Sequence, residues 1–589
     1  MSVLLLLAGM YVQAQVSRGP YLQTLTQSSV IVRWRTASAT DSKVTFGTSE
    51  GILDRNVTDA ASTTEHTVTL SGLQPYTTYY YSVGSSSAIL QSGPDNHFLT
   101  APVTGTKGKY TFWVTGDCGN NSTNQKNVLA SYNTYMGDRP TNGWLTLGDN
   151  AYTSGLDLEF TTNFFDIYQE NIMKHAPLWP TPGNHDYANN PFSQIFKVMP
   201  YYDIFDLPAD GEAGGTPSGT EAYYSYDYDN IHFLSLDSYG NEDLILRLYD
   251  TLSPQAQWIK ADLKANTKPW VIAYWHHPPY TMASHNSDTE GELKSMRAKF
   301  MPFLEGLGVD MVLCGHSHGY ERSRPMKGHY GLEATFDSTQ HHMDFSSGKY
   351  DGSENSCTYM QDDKHTKKGT VYVVAGSSGQ LGGEQSTFPH NAMYFSDVTN
   401  GGSLILEVED NRLDAKWLNT DGQIRDNFSI IKNANREQYI TVKKGESINL
   451  TASWPGEYRW SHTADGNRSQ TVSPETSGTY TVSDEHQCVS DVYHVTVEEA
   501  TSVGELPTAG DFVIFPNPAR TELNIQAQFN GVSTVIISDL TGRTVFSETV
   551  KTQGGYVKKI NTSTYPKGIY TVQVKGGSTN PVIRKLIIE

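Results

Sequence analysis

The chain of 589 residues is poor in cysteine, in basic residues and in long apolar runs. Its 4 cysteines are too few for a disulfide framework, and Cys118 and Cys314 lie inside apolar strand patterns, where we expect buried thiols. The 43 Lys and Arg residues are outnumbered by 63 Asp and Glu residues, so the net charge is -20. Because a nucleic-acid binder needs a basic face, this balance excludes that class. Small phosphorylated substrates remain compatible, since a bound metal reverses the local field.

Long apolar runs are confined to the first residues, MSVLLLLAGMYVQAQ. This stretch has an apolar core followed by a small-residue cleavage pattern at Val12-Gln13-Ala14. It predicts a signal peptide over 1–15, although the usual charged start is missing. The alternative is a plain apolar tail. No later stretch reaches ~18 apolar residues, so we expect no transmembrane helix. The pattern therefore predicts an exported protein.

Strand patterns with alternating apolar residues dominate both ends of the chain. SSVIVRWRT and HTVTLSGL within 16–102 alternate apolar and polar positions, which predicts a β-sandwich. Residues 433–500, with SINLTASW and GTYTVSD, predict a small immunoglobulin-like module. TSVGELPTAGD (501–511) is typical of a linker, and 511–589 form a last β-rich block. The fold class predicted is therefore multidomain, with one N-terminal and two C-terminal β-sandwich modules on either side of a central region of a different class.

The centre, residues 103–432, has apolar strands that end in glycine-rich polar turns. Examples are KYTFWVTGDCG, GWLTLGDNAY, PWVIAYWHHPP and VDMVLCGHSH. A helix is predicted for SPQAQWIKADL, with Ser253 as N-cap and Pro254 at the first helical position. The centre is thus predicted to be an α/β sandwich of mixed sheets, with its polar turns gathered beyond the carboxyl ends of strands.

Five of these turns carry side chains that bind metals. Each motif alone is weak, because Gly-Asp is usually a turn and a histidine pair is usually satisfied by hydrogen bonds. Together, carboxylates, imidazoles and a carboxamide at successive strand ends would face one point, and a pair of cations would compensate that charge. The residues are Asp117 in GDCG, Asp149 and Tyr152 in GDNAY, Asn184 and His185 in PGNHD, His276 and His277 in YWHHPP, and His316 and His318 in GHSH.

The order and spacing of GDCG, GDNAY, GNHD, PWVIAYWHHPPY and GHSHGYERS resemble the five motifs of the calcineurin-like metallophosphoesterases, and more narrowly those of the purple acid phosphatases. The resemblance covers about 16–432, and RGPYLQ through FLTAP resembles that family's fibronectin type III-like domain. It implies a metallophosphoesterase sandwich with two metal ions, Fe(III) plus Fe(II), Zn(II) or Mn(II).

The resemblance also implies how the ligands divide. Many metallophosphoesterases carry a histidine ligand two residues after the first aspartate. Here that position is Gly119, which has no side-chain donor, and Tyr152 takes its place with a phenolate suited to Fe(III). By resemblance, Asp149 bridges the two metals. One metal takes Asp117, Asp149, Tyr152 and His318, and the other takes Asp149, Asn184, His276 and His316.

Two histidines are expected to act on the substrate. By resemblance, His185 contacts the phosphate, and His285, nine residues past His276, is the substrate histidine and general acid. Plant relatives carry a second histidine beside it, where this chain has Asn286, and the alternative for His285 is a plain loop residue. Two expectations are structural: a supporting role for His277, and an ion pair between Glu321 and Arg322 behind the site.

The C-terminal block resembles the sorting domain of type IX secretion. The resemblance rests on FPNPARTELNI, ISDLTGRTV, YPKGIYTVQV and the terminal RKLIIE, over 511–589. That signal directs cargo across a bacterial outer membrane, with release or attachment at the cell surface. The type IX machinery is therefore an expected partner. The alternative is an ordinary β-sandwich accessory domain.

These features predict a secreted binuclear-metal acid phosphatase that hydrolyses phosphate monoesters by attack of a metal-bound hydroxide. A phosphodiesterase that uses the same centre is the first alternative. A surface adhesin or glycan-binding protein with a degenerate phosphatase domain is the second, and the intact set of ligand residues argues against it.

Overall fold

The computed structural model describes residues 15–361, 369–498, 512–576 and 581–589. The predicted signal peptide, apart from residue 15, and the predicted linker lie outside these ranges. The chain forms two compact units. The first extends to residue 438 and includes 450–470 and 480–493, and the second comprises 439–449, 471–479 and the residues from 494 onward. In the described part of the chain, no helix is long and apolar enough to cross a membrane.

The N-terminal strands form one six-stranded antiparallel sheet in which β2 is the central element. The first half of β2 pairs with β1 and the second half pairs with β4. Between the two halves, the pairing of β2 with β3 shifts register from Arg35 to Thr40. Alternation places Val30, Val32 and Trp34 in the core. The strands are β1 (Val16–Gln23), β2 (Ser29–Gly47), β3 (Arg55–Ser71), β4 (Thr78–Gly84), β5 (Ile89–Gln91) and β6 (His97–Leu99).

The centre of the chain contains two seven-stranded mixed sheets. One has the order β10-β11-β12-β13-β16-β14-β17 and the other β15-β20-β19-β18-β7-β8-β9. Pairing is parallel from β7 to β9 and from β11 through β13 to β16. The strands are β7 (Lys109–Thr115), β8 (Gly143–Leu147), β9 (Leu178–Thr181), β10 (Tyr224–Tyr228), β11 (Ile231–Ser235), β12 (Trp270–Trp275), β13 (Met311–Cys314), β14 (Tyr320–Ser323), β15 (Tyr359–Gln361), β16 (Val371–Ala375), β17 (Met393–Asp397), β18 (Gly402–Glu409), β19 (Arg412–Asn419) and β20 (Ile424–Lys432).

Helices connect these strands. The predicted helix spans Pro254–Ala265, and the Ser253 hydroxyl caps it by accepting from the Ala256 N–H. The longest helix is Thr123–Met136, which Ser122 caps in the same way. Shorter α-helices are Asp157–Glu159, Asp166–Tyr168, Pro191–Phe196, Pro200–Ile204, Gly291–Ser295, Met301–Glu305 and Ser338–His341, with π-helical turns at Phe160–Phe165 and Met296–Phe300 and 3₁₀ turns at Ile172–Lys174 and Glu333–Thr335.

The C-terminal strands form smaller sheets. Residues 437–498 give a four-stranded sheet of order β21-β26-β25-β23 and a two-stranded sheet β22-β24, and residues 512–588 give one five-stranded antiparallel sheet. The coarse prediction of a multidomain, mostly β protein with a mixed-sheet centre is confirmed. The strands are β21 (Glu437–Lys443), β22 (Ile448–Thr451), β23 (Arg459–Trp460), β24 (Ser469–Val472), β25 (Gly478–Ser483), β26 (Ser490–Glu498), β27 (Phe512–Phe515), β28 (Glu522–Asp539), β29 (Thr544–Asn561), β30 (Gly568–Gly576) and β31 (Val582–Ile588).

The predicted ion pair between Glu321 and Arg322 is wrong. Neighbouring residues of β14 point to opposite faces of the sheet, so the two side chains cannot meet. Arg322 instead donates twice to the buried carboxylate of Asp426, at 2.7 and 2.9 Å. Glu321 accepts hydrogen bonds from the Thr281 hydroxyl and the Met282 N–H.

The cysteines divide into two kinds. Cys118 and Cys314 are free and buried, as predicted. Cys357 and Cys488, 131 residues apart, form a disulfide that the sequence analysis did not anticipate. It links the segment before β15 to the segment before β26, within the first compact unit.

Candidate metal centre

The metal-type residues lie directly after parallel strands. Asp117, Asp149 and His316 each follow a glycine and each has a positive φ, of 56°, 53° and 66°. This left-handed conformation is uncommon for residues other than glycine, and it is typical of functional turns. A Cβ at the preceding Gly148 would lie 2.6 Å from the His276 ring, so that position requires glycine.

One group of donors gathers around Asp117. The Tyr152 hydroxyl donates to Asp117 Oδ1 at 2.9 Å, and His318 Nε2 lies 3.8 Å from the same oxygen. The His316 N–H donates to the other oxygen, Oδ2, at 2.8 Å. Ligand atoms of Asp117, Asp149 and His276 lie within 4.8 Å of one another. The four residues expected at the first metal therefore lie together.

A second group gathers around Asn184. Its Oδ1 lies 2.9 Å from His276 Nε2 and 3.1 Å from His316 Nδ1. His276 Nε2 is also 3.2 Å from Asp149 Oδ2. Asp149 thus adjoins both groups, which is the place that a bridging carboxylate needs.

Hydrogen bonds behind the donors fix their orientation. His276 Nδ1 donates to the Leu147 carbonyl at 2.8 Å, which makes Nε2 the atom that faces Asp149. Asp149 Oδ1 accepts from the His185 N–H at 2.8 Å.

The electrostatics of the centre favour bound cations. Burial, with the charge of Asp149, raises the pKa of Asp117 to about 8. Burial would also raise the pKa of Asp149, but His276 outweighs it and holds that pKa below its usual range. Burial lowers the pKa of His316 to about 3 and that of His318 to about 4, so both imidazoles are neutral, the form that ligates. Burial would lower the pKa of His276, but Asp149 raises it to about 9, so a cation would replace the proton that this ring carries beside Asp149. Oxygen and nitrogen donors around two buried acidic groups fit a pair of cations.

The chain has no room for a histidine at position 119. A Cβ on Gly119 would lie 1.8 Å from the Asn150 carbonyl oxygen, so any side chain there would collide with the backbone. The Gly119 carbonyl instead accepts from the Tyr152 N–H at 2.8 Å. The same close approach that excludes histidine therefore places Tyr152 beside Asp117.

The two predicted substrate histidines flank the centre. His185 Nδ1 donates to the Thr153 carbonyl at 2.6 Å, and its Nε2 lies 4.0 Å from Asp149 Oδ2. The His285 ring lies 3.8 Å from the His316 ring, measured between centroids. His277 is buried against Ser238, with Nδ1 2.9 Å from the hydroxyl, and burial lowers its pKa.

Sequence reasoning missed two acidic residues that hold this arrangement. Glu290 Oε2 accepts from His285 Nδ1 at 2.8 Å and lies 3.6 Å from His316 Nε2. Asp186 accepts from the N–H groups of Asn150 and Gly183, which joins two of the motif turns. The sequence signal for Asp186 was its place directly after His185, whereas Glu290 stands in a loop with no distinctive spacing.

Three parts of the chain match known protein families. Residues 110–320 match the family described as calcineurin-like phosphoesterase, and residues 20–100 match the purple acid phosphatase N-terminal domain. Residues 513–589 match the secretion system C-terminal sorting domain. The recognition of a purple acid phosphatase-like metallophosphoesterase with these flanking domains is therefore confirmed.

Similar individual proteins agree with this. Purple acid phosphatase 18 of Arabidopsis thaliana is 29% identical over 265 residues, which is 44% of this chain and 53% of the relative. Probable purple acid phosphatase 20 of the same plant is 25% identical over 405 residues, 66% of this chain and 80% of the relative. The chain thus spans about half the length of the first relative. A purple acid phosphatase from yellow lupin (Lupinus luteus) seeds shares the fold, with 18% identity, a TM-score of 0.55 and coverage of 70% of this chain and 75% of that one.

Proposed function

We propose that the protein is an exported binuclear-metal phosphatase that hydrolyses phosphate monoesters. The convergence of seven donor side chains from five strand ends on one buried point carries this proposal. Similarity to purple acid phosphatases supports it. The donors are Asp117, Asp149, Tyr152, Asn184, His276, His316 and His318.

The donor set divides between two ions. Asp117, Tyr152 and His318 would hold one ion, with Fe(III) favoured by the phenolate. Asn184 and the other two imidazoles would hold the second, a divalent Fe, Zn or Mn. Asp149 would bridge them. When bound, such a pair polarises a phosphate ester and acidifies water to supply the nucleophile.

The chain's own histidines would handle protons around the phosphate. His185 already carries a hydrogen on Nδ1, which is held by the Thr153 carbonyl. To donate from Nε2 to a phosphoryl oxygen it must therefore be the imidazolium, whose charge also attracts the phosphate dianion. Stabilising charge that develops on the phosphoryl oxygens is the largest task of such a site.

His285 is placed to protonate the leaving alkoxide. Its Nδ1 hydrogen is held by the Glu290 carboxylate, so its Nε2 is the nitrogen that can carry and release the second proton. This hydrogen bond to Glu290 orients the His285 ring. Asn286, where plant relatives have a second histidine, donates its backbone N–H to Glu290 and adds no further acid.

The decisive test measures hydrolysis and metal content together. Rates on p-nitrophenyl phosphate, ethyl phosphate and bis(p-nitrophenyl) phosphate would be compared with metals quantified by mass spectrometry. We expect two metals per chain and faster monoester than diester hydrolysis. Asp149→Ala should lose both metals and activity, whereas Asp337→Ala, an exposed carboxylate outside the site, should lose neither. Faster diester hydrolysis would favour the phosphodiesterase. A metal-free, inactive wild type would favour a binding protein.

Export is the other half of the proposal. The match of residues 513–589 to a sorting domain supports passage through type IX machinery to the cell surface or beyond. The predicted signal peptide over 1–15 would supply the first membrane crossing.

A further inference from the structure

Large apolar side chains stand exposed in three connections at the edge of the sheets where the metal-type residues lie. The connections follow β8, β9 and β11. The first two contain Asp149 and Asn184, and the third adjoins His277 through Tyr239, whose ring lies 5.3 Å from the His277 ring between centroids. Ile245 is 80% exposed and Leu158 is 69% exposed, whereas side chains of this kind are usually buried. We call this set the apolar rim: Leu156, Leu158, Phe192, Phe196, Leu244 and Ile245.

Hydrogen bonds join the three connections to one another and to the centre. The Thr153 carbonyl holds His185. Asn189, three residues before Phe192, accepts from the amide of Asn184 at 3.1 Å and from the Tyr239 hydroxyl at 3.2 Å. The Asn241 N–H donates to the Gln194 carbonyl at 2.9 Å. The three connections that carry the apolar rim are therefore tied to one another and to residues of the candidate centre.

The turn at Leu244 is held in an unfavourable conformation. Leu244 has a φ of 71°, where asparagine or glycine is the favoured residue, and Asp243 before it has a φ of 45°. The Asn241 amide donates to the Leu244 carbonyl at 2.9 Å and fixes this turn. A strained leucine at an exposed tip is better explained by contact with a ligand than by stability.

We propose that the apolar rim binds the organic part of the substrate, so that the enzyme prefers phosphate esters of extended apolar alcohols over small polar ones. This inference rests on the proposed phosphatase function. A lipid surface is a less suitable occupant, because a net charge of -20 repels anionic membranes.

The test compares ethyl phosphate with hexyl phosphate below its micelle concentration. Both release a primary alkoxide, so the chemical step is matched and the ratio of kcat/KM reports contacts to the longer chain. We expect hexyl phosphate to be favoured about tenfold, below the limit for complete burial of the added methylenes. In the double variant Leu244→Asn/Ile245→Ser this ratio should fall toward one.

The control variant is Leu332→Ser, an exposed leucine outside the apolar rim, which should keep the wild-type ratio. Leu244→Asn alone should not lower Tm, since asparagine tolerates the left-handed conformation. A ratio near one in the wild type, with both esters hydrolysed, would overturn the inference and leave the proposed function intact. Hydrolysis of neither ester, nor of p-nitrophenyl phosphate, would overturn both. Cosedimentation with phosphatidylcholine vesicles that the double variant abolishes, without a change in ratio, would assign the apolar rim to membranes instead.

Discussion

The backbone at Gly119 leaves no space for a histidine side chain, and Tyr152 takes the place of that ligand. Because phenolate-to-Fe(III) charge transfer absorbs visible light, we expect the purified protein to contain iron and to be coloured. Tyr152→Phe removes the phenolate oxygen and should bleach the colour, as visible absorption and iron analysis would show. A colourless, iron-free and fully active wild type would contradict the assignment of this ligand.

Glu290 holds His285 and stands behind His316. Glu290→Gln should therefore slow esters with poor leaving groups by about tenfold and leave p-nitrophenyl phosphate nearly unaffected, because only a poor leaving group needs the proton. His285→Ala should show the same pattern with a larger loss. Equal losses on both esters would mean that Glu290 only supports the fold, and a metal content below that of the wild type would place its role at His316.

His232 provides a pH-dependent contribution to stability far from the centre. Burial alone would lower its pKa, but Asp227 and Asp262 raise it from 6.5 to about 9. A raised folded-state pKa means that the stabilisation is complete below pH 6.5 and is lost as pH rises through about 9. His232→Gln should cost about 3 kcal/mol below pH 6.5. The Tm difference from wild type should shrink above pH 9; a constant difference would contradict this linkage.

At the residue scale, local motifs indicated which side chains lie together, and their roles as ligands and acids stay predictions. The seven predicted ligands and His185 lie together because the turns that hold them follow parallel strands of the two sheets, and His285 reaches His316 from the loop after β12. Glu290 was not foreseen, because its role exists only once its loop returns to His285. The ion pair between Glu321 and Arg322 was predicted wrongly, because side chains of neighbouring residues in a strand point to opposite faces of the sheet.

At the scale of elements, the strands and the helix Pro254–Ala265 followed from periodicity and capping, and the disulfide did not. Cysteine spacing gives no geometry, and residues 357 and 488 meet only through tertiary packing. The change of partner along β2, from β1 to β4, could not be predicted from the sequence either, because apolar and polar residues alternate normally in each half of the strand.

The disulfide should act on stability and not on catalysis. Cross-linking residues 131 apart restricts the unfolded chain, so Cys357→Ser/Cys488→Ser should lower the free energy of unfolding by about 2–4 kcal/mol. Neither cysteine contacts a residue of the centre, so kcat/KM should hold. Calorimetry would check this, and dithiothreitol should lower the Tm of the wild type but not that of the variant. A variant as stable as the wild type would show that the bond is dispensable.

At the scale of the whole molecule, the C-terminal block 511–589 contains none of the residues assigned to metals or substrate. A protein ending at residue 503 should keep its kinetic constants when made in a cytoplasmic or periplasmic host. In a host with type IX machinery it should accumulate inside the outer membrane, while the full-length protein reaches the surface. Surface display of the shortened protein, or loss of activity in a folded product, would contradict the sorting role.

The candidate ligands come from two sheets, and the strands that carry them are consecutive groups in the chain. Asp117, Asp149 and Asn184 follow β7, β8 and β9, whereas His276 and His316 follow β12 and β13 of the other sheet. A nascent chain that has emerged only as far as β11 holds three of the four ligands proposed for the first ion and two of the four proposed for the second. Full coordination of either ion would then await residues 276–318, so a filled centre would indicate that both sheets have contributed their ligand-bearing strands.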